Sequence, residues 1–158
     1  MSNANFAIPK AYNEPVKAYL PGSPEREALK KELDRQASIQ VEIPIIIGGK
    51  EYHTGNKGKC VMPHDFNHVL AEYNIAGEEE LAADAAMAAK EEWANMPWEH
   101  RASIFLKAAD LLAGPWRAKM NAATMLGQSK TAFQAEIDSA CELADFLRFN
   151  VAFAEQIY

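Results

Sequence analysis

Cysteine is nearly absent from this chain of 158 residues: Cys60 and Cys141 are the only two. They offer no disulfide framework, which suits a reducing compartment. Positive charge is also scarce, with 16 Lys and Arg against 22 Asp and Glu, and the net charge of −6 is spread along the chain. That leaves no basic footprint for nucleic acid and none for an anionic membrane. No apolar run approaches the roughly 20 residues of a membrane span. The longest strand-like run, Ile43 to Ile47, is broken by Pro44. The opening residues MSNANFAIPKAYNEP lack both a secretory apolar core and the Arg-rich pattern of a transit peptide. A cytoplasmic, bacterial protein is the simplest reading. There is no Gly-x-Gly-x-x-Gly, no internal repeat and no low-complexity tract.

What the chain does have is a globular composition, 49% apolar and 24% charged, and one long apolar helix near its end. From Phe133, apolar residues recur at Ile137, Ala140, Ala144, Leu147, Val151, Ala154 and Tyr158, in steps of four and three. Leu143, Phe146, Phe149, Phe153 and Ile157 form a second line beside it. Asp138, Glu142, Asp145, Arg148 and Glu155 form the narrow polar stripe expected to see water.

Upstream, residues 1–22 carry Pro9, Pro15 and Pro21 without periodicity, and read as an extended arm over another surface or a disordered tail. Residues 23–158 form the rest. Ser23 is a plausible N-cap, followed by Pro24, Glu25 and an apolar stripe of Leu29, Leu33 and Ala37. Val41 to Tyr52 reads as a hairpin turning at Gly48-Gly49, followed by a loop at Gly55 to Gly58. Short strands follow at Cys60 to Met62 and His68 to Tyr73. Gly77 to Met96 reads as a helix that begins with Glu78, Glu79 and Glu80 and is lined by Leu81, Ala85, Ala88, Ala89 and Trp93. Pro97 opens another, with Arg101, Ile104, Phe105, Ala108, Leu111 and Leu112 on one face. Gly114 is expected to close it in the left-handed region. A short helix to about Leu126 then leads through Gly127 into the long one.

Candidate chemistry is sparse. Cys141 is the tempting nucleophile, but it sits mid-helix near Glu142 and Asp145, and negative neighbours raise a thiol pKa. It reads as a packing or surface residue, and Cys60 has no activating context. Gly127-Gln128-Ser129-Lys130-Thr131 ends like a phosphate loop, yet it lacks the spacing and the preceding strand, so it reads as a helix-to-helix turn. His64 and His68 flank Asp65 without a third ligand, and His53 and His100 are isolated. Metal ligands are therefore assigned to none of them. Glu136 shares a helix side with Leu143 and Phe146, where a lone carboxylate needs a cation or donors.

The runs Gly127 to Thr131, Gln134-Ala135-Glu136-Ile137-Asp138 and Phe146-Leu147-Arg148-Phe149-Asn150 resemble the corresponding stretch of the delta-1-pyrroline-5-carboxylate dehydrogenases, within the aldehyde dehydrogenase superfamily. The resemblance extends through Arg101 to Gly114 and back to Gly22 to Arg26, and covers only that family's amino-terminal portion. It implies an α/β, aldehyde dehydrogenase-like fold, this span being the mainly helical first part of the cofactor domain with a few short strands. It implies oxidation of a small-molecule substrate, L-glutamate γ-semialdehyde, to L-glutamate with NAD⁺, in a homo-oligomer with no nucleic-acid or membrane partner. A eukaryotic counterpart belongs in the mitochondrial matrix. In that family the catalytic cysteine, the general-base glutamate and the NAD-binding strands all lie beyond residue 158. The resemblance thus places no catalytic and no cofactor-binding residue in this span. It does place Glu136 beside the substrate pocket, as a partner for the α-ammonium group; Asn150 reads as structural. Tyr158 falls on the apolar line with no C-cap or polar tail, so the chain is expected to be a fragment whose partner is the remainder of the same enzyme. On its own it is expected to be inactive. The rival readings are a non-catalytic helical interaction module and a truncated regulatory paralogue.

Overall fold

The computed structural model describes residues 7–77 and 83–157. The acidic run Glu78 to Glu80, Leu81 and Tyr158, which carry some of the expectations above, lie outside them.

Helix α1, Pro24–Ala37, starts as the sequence implies: Ser23 Oγ accepts the Arg26 N–H at 3.4 Å, and Glu25 and Glu27 occupy the positive end. Leu29 is buried and packs with Tyr19 and Ala122, joined by Leu33, Met125 and Ala132. This small apolar cluster fastens α1 to helix α4, Arg117–Gln128.

The β region departs from the single hairpin expected for Val41 to Tyr52. Pro44 has no N–H to donate, and the chain changes sheets there. Strand β1, Val41–Ile43, pairs in parallel with β5, Asp65–Asn74, whose other edge pairs antiparallel with β4, Lys57–Met62. Only β2, Ile45–Ile47, and β3, Lys50–Tyr52, form the hairpin, with Gly48 and Gly49 at φ 58° and 77°. The two sheets are tied by buried Asn74, which donates to Ile43 O at 3.0 Å and accepts the Thr54 N–H at 2.7 Å. Gly58 proves to be a strand residue rather than loop. A Cβ there would meet the Tyr73 ring at 2.2 Å, so the ring crosses over Gly58 and any side chain at this position would push it aside.

Helices α2, Ala83–Asn95, and α3, Trp98–Ala113, follow. No residue of α2 is buried, so the stripe expected to pack lies open apart from half-buried Ala85. On α3 the expected face is rotated: Ile104, Phe105 and Leu111 are exposed, whereas Ala109 is buried. Gly114 is not left-handed, at φ −106°; its N–H simply continues to Asp110 O. The left-handed residue is Ser129, at φ 53°, which closes α4. Thr131 then caps α5, Ala132–Ala135, in a reciprocal box with Gln134. Of the Gly127 to Thr131 run, Gly127 and Gln128 thus end α4, and only Ser129 to Thr131 form the turn between helices.

The last rod is not one uninterrupted α-helix. A six-residue π turn, Glu136–Cys141, separates α5 from α6, Glu142–Ile157. The line Ala140, Ala144, Leu147, Val151 and Ala154 is buried or half-buried as expected, whereas Phe133 and the second line at Leu143, Phe146, Phe153 and Ile157 are exposed. Arg148, assigned to the wet stripe, is buried, while Phe146 is 57% and Ile157 85% exposed. No helix among the described residues is long and apolar enough to cross a membrane.

Candidate functional site

Glu136 is 0% exposed and stands at the centre of a dense polar cluster. The π turn points it not toward Leu143 and Phe146, as expected, but into the space between α4 and residues 14–19. Arg117, at the start of α4, brings its guanidinium onto the carboxylate: Nε lies 3.1 Å from both oxygens, and Nη2 makes a still closer contact with Oε1. Asn121, one turn along, donates to Oε2 at 2.8 Å. From the arm, the Lys17 N–H donates to Oε1 at 2.7 Å and the Tyr19 hydroxyl to Oε2 at 2.7 Å. Both oxygens are thus held within the chain, and the cation that answers the carboxylate is Arg117.

The network continues beyond the pair. Arg117 Nη1 reaches Glu14, Glu14 Oε2 accepts from Arg148 at 2.8 Å, and Arg117 Nη2 donates to Pro15 O at 2.8 Å. The Arg148 guanidinium stacks 4.3 Å from the Tyr12 ring. Asp145 accepts the Glu14 N–H and the Asn13 side-chain amide at 2.6 and 2.7 Å. Arg117 and Arg148 alternate with Glu136 and Glu14, so each of these four charges has an opposite neighbour. Tyr19 holds its place at a cost: its φ of 51° is a left-handed conformation that a bulky residue adopts at roughly 1–2 kcal/mol. Asn121 Oδ1 is the one buried side-chain atom in the cluster with no partner.

Burial alone would raise the Glu136 carboxyl pKa. The Arg117 guanidinium, the Lys17 N–H, the Tyr19 hydroxyl and the Asn121 amide outweigh it and hold Glu136 below the ordinary carboxylate value. Burial would lower Arg117, but Glu136 and Glu14 push it higher still. Burial, then Glu136, drives the Tyr19 hydroxyl up. The Cys141 thiol, 3.3 Å from Arg117 Nη2, is raised to about 11, first by burial and then by the Glu136 charge. The direction agrees with the sequence argument, although Glu142 is not among the causes. At neutral pH this thiol is protonated and shielded, the opposite of a nucleophile.

The histidines do not converge. His64 Nδ1 lies 3.1 Å from Ser129 Oγ, and His68 Nε2 donates to Ala37 O at 2.9 Å, each pinning the β4–β5 hairpin to a helix end. Cys60 is exposed on β4.

The reverse side of the rod forms an open groove of about 550 Å³ against α2 and α3, walled by Trp93, Trp98, Phe105, Leu143 and Phe146. Arg101 and Asn150 are its polar points, and the Arg101 guanidinium lies 6.0 Å from the Trp93 ring. The sequence reading found Glu136 but missed Arg117, Asn121, Tyr19, Glu14 and Arg148. A signal for two of them is present: Arg117 and Asn121 stand four apart, among Trp116, Met120, Ala122 and Met125, where an unpaired cation would be costly.

Residues 49–158 match the model of the aldehyde dehydrogenase family. The chain is 49% identical, over 158 residues, to a delta-1-pyrroline-5-carboxylate dehydrogenase of Agaricus bisporus, covering 98% of this chain and 29% of the relative. It is 46% identical over 150 residues to the human mitochondrial protein of that name, covering 94% and 27%. The solved delta-pyrroline-5-carboxylate dehydrogenase of Mycobacterium tuberculosis, bound with NAD and cobalamin, superposes with a TM-score of 0.96 at 49% identity over 99% of this chain and 30% of that one. A 1-pyrroline-5-carboxylate dehydrogenase from Thermus with bound NAD gives 0.84 at 25% identity, over 96% and 29%. The chain thus spans under a third of the length of these relatives.

Proposed function

The chain belongs to the aldehyde dehydrogenase family, and from that premise we propose that it contributes the amino-terminal portion of an enzyme that oxidises L-glutamate γ-semialdehyde to L-glutamate with NAD⁺, a step of proline degradation. The semialdehyde is in equilibrium with cyclic pyrroline-5-carboxylate. The supporting observation is the alignment of nearly the whole chain, at close to half identity, with dehydrogenases of that name.

The described residues do not themselves fit the dinucleotide. Gly48-Gly49 caps a hairpin, Gly127 lies within α4, and the large groove is walled by aromatic and aliphatic side chains rather than backbone donors for a diphosphate. The nucleotide, the catalytic thiolate and the general base are accordingly assigned to the remainder of the polypeptide. The α3–α6 groove is proposed to pack against it. The whole enzyme is proposed to be a homo-oligomer without nucleic-acid or membrane partners, in the bacterial cytoplasm or, if eukaryotic, in the mitochondrial matrix, as the naming of the human relative suggests.

Within this reading Glu136 is a structural hub rather than a contact for the substrate ammonium, because all its acceptor capacity is used by Arg117, Asn121, Lys17 and Tyr19. Two measurements test the proposal. A polypeptide of the relatives' length should reduce NAD⁺ when given the semialdehyde, whereas the 158 residues alone should not; turnover by the short chain overturns the assignment. In the long chain, Glu136→Gln should lower thermal stability and leave KM for the semialdehyde within about twofold. A KM rise of tenfold or more at unchanged stability would return Glu136 to the substrate.

A further inference from the structure

Two departures from ordinary backbone meet at one carboxylate. The first is the left-handed Tyr19, and the second is the π turn Glu136–Cys141, a geometry found mainly as short insertions in α-helices. At 3.6 residues per turn, side chains five apart point about 140° away from each other. Here they converge: Cys141 Sγ lies 3.8 Å from Glu136 Oε1, and both touch Arg117. The wide turn is what allows this.

Residues of the arm grip the rod on both sides of that turn. Before it, the Lys17 N–H and the Tyr19 hydroxyl hold Glu136. After it, Asp145 accepts the Glu14 N–H and the Asn13 amide, and Arg148 donates to the Glu14 carboxylate. Pro15 O, between the two sets, accepts from Arg117. We infer that residues 13–19 are a splint that keeps the 136–141 turn in its wide register, and that without it the turn tightens to α geometry and rephases α5 against α6. Losing the splint removes two donors from Glu136, and takes Glu14 from Arg117. Only Arg117 and Asn121 are then left to keep Glu136 on the side of Cys141. One residue of rephasing is about 100° at 3.6 residues per turn, enough to turn Leu143 and Phe146 away from α3. The arm therefore sets the aim of the groove from the opposite side of the rod.

The test uses the full-length protein carrying Tyr19→Phe together with Glu14→Gln, each of which removes polar contacts while preserving shape. Buried Cys141 is the reporter and exposed Cys60 the internal control for labelling by N-ethylmaleimide, read by peptide mapping. Labelling of Cys141 and amide exchange across residues 132–145 should accelerate at least tenfold, with residues 57–74 unchanged. Deleting Asp138 supplies the second arm, since removing one residue converts the wide turn to α without altering the phase on either side. In that background the splint substitutions should no longer accelerate exchange at 132–145. Unchanged Cys141 labelling, equal acceleration in β4–β5, or persistence of the effect in the deletion background would each overturn the inference.

Discussion

The two sides of the final rod invert the usual distribution of polarity. On the inner side are Ala135, Glu136, Ala140, Cys141, Ala144 and Arg148, all buried. Facing outward are Phe133, Leu143, Phe146, Phe153 and Ile157, all exposed. Charge lies inside and aromatic surface outside. Pairing decides which side is buried: the inner charges alternate in sign and have short, directed hydrogen bonds, so they tolerate dehydration. The outer side chains are only partly covered among the described residues, Leu143 and Phe146 by the walls of the groove and Phe153 by the Phe149 ring. The inner side is complete in itself, whereas the outer one has the chemistry of an interface.

The sharpest way to break this contrast is to remove one charge from the inner side. Arg117→Ala leaves the buried Glu136 carboxylate without its cation, while Glu14 keeps only Arg148, and should cost about 3–5 kcal/mol in urea unfolding. Arg117→Met with Glu136→Met should recover much of that loss, because paired burial is replaced by apolar packing of similar volume. If the double variant is as unstable as Arg117→Ala, packing rather than charge holds this side together.

Acidity should weaken the inner side more gently. Glu136 has a folded-state pKa below its ordinary 4.5, so its contribution is fully present above about pH 4.5 and is lost as pH falls through the depressed value. Cys141 works in the other direction. Its pKa rises from 9.0 to about 11 on folding, so the stability it carries is intact below pH 9 and is lost as pH climbs through 11. Thermal unfolding against pH should therefore show a plateau with an acid shoulder set by Glu136. Glu136→Gln should flatten that shoulder, and an unchanged profile would mean that the carboxylate is not ionised in the folded chain.

Most of the helical layout was readable from local chemistry. Ser23-Pro24 begins a helix because serine caps and proline suits the first turn, and Gly48-Gly49 turns a hairpin because both positions need positive φ. Three features were not legible. Pro44 hides a change of sheet, which depends on β5, more than twenty residues on. The π turn leaves no mark in composition, and spacing alone gave Arg148 to water and Phe146 to the core. The network around Glu136 draws on residues more than a hundred positions away, and no helical spacing connects Tyr19 to Asn121. Family resemblance identified Glu136 as worth following but gave no sign of Arg117, the cation that meets it in the structure, which lies outside the motifs that carried the likeness.

The outer side offers the smallest effect in the short chain and the most telling one. Phe146, at 57% exposure, borders the groove without being enclosed by it. Phe146→Gln should change the unfolding free energy of the 158-residue chain by no more than about 0.5 kcal/mol, as surface substitutions do. In a polypeptide of the relatives' length, a groove packed against the added chain buries this ring, and the same substitution then costs about 3–5 kcal/mol. Equal, small effects at both lengths would mean that the groove stays open in the whole protein. In that case its aromatic wall serves a separate partner, as the rival interaction-module reading holds.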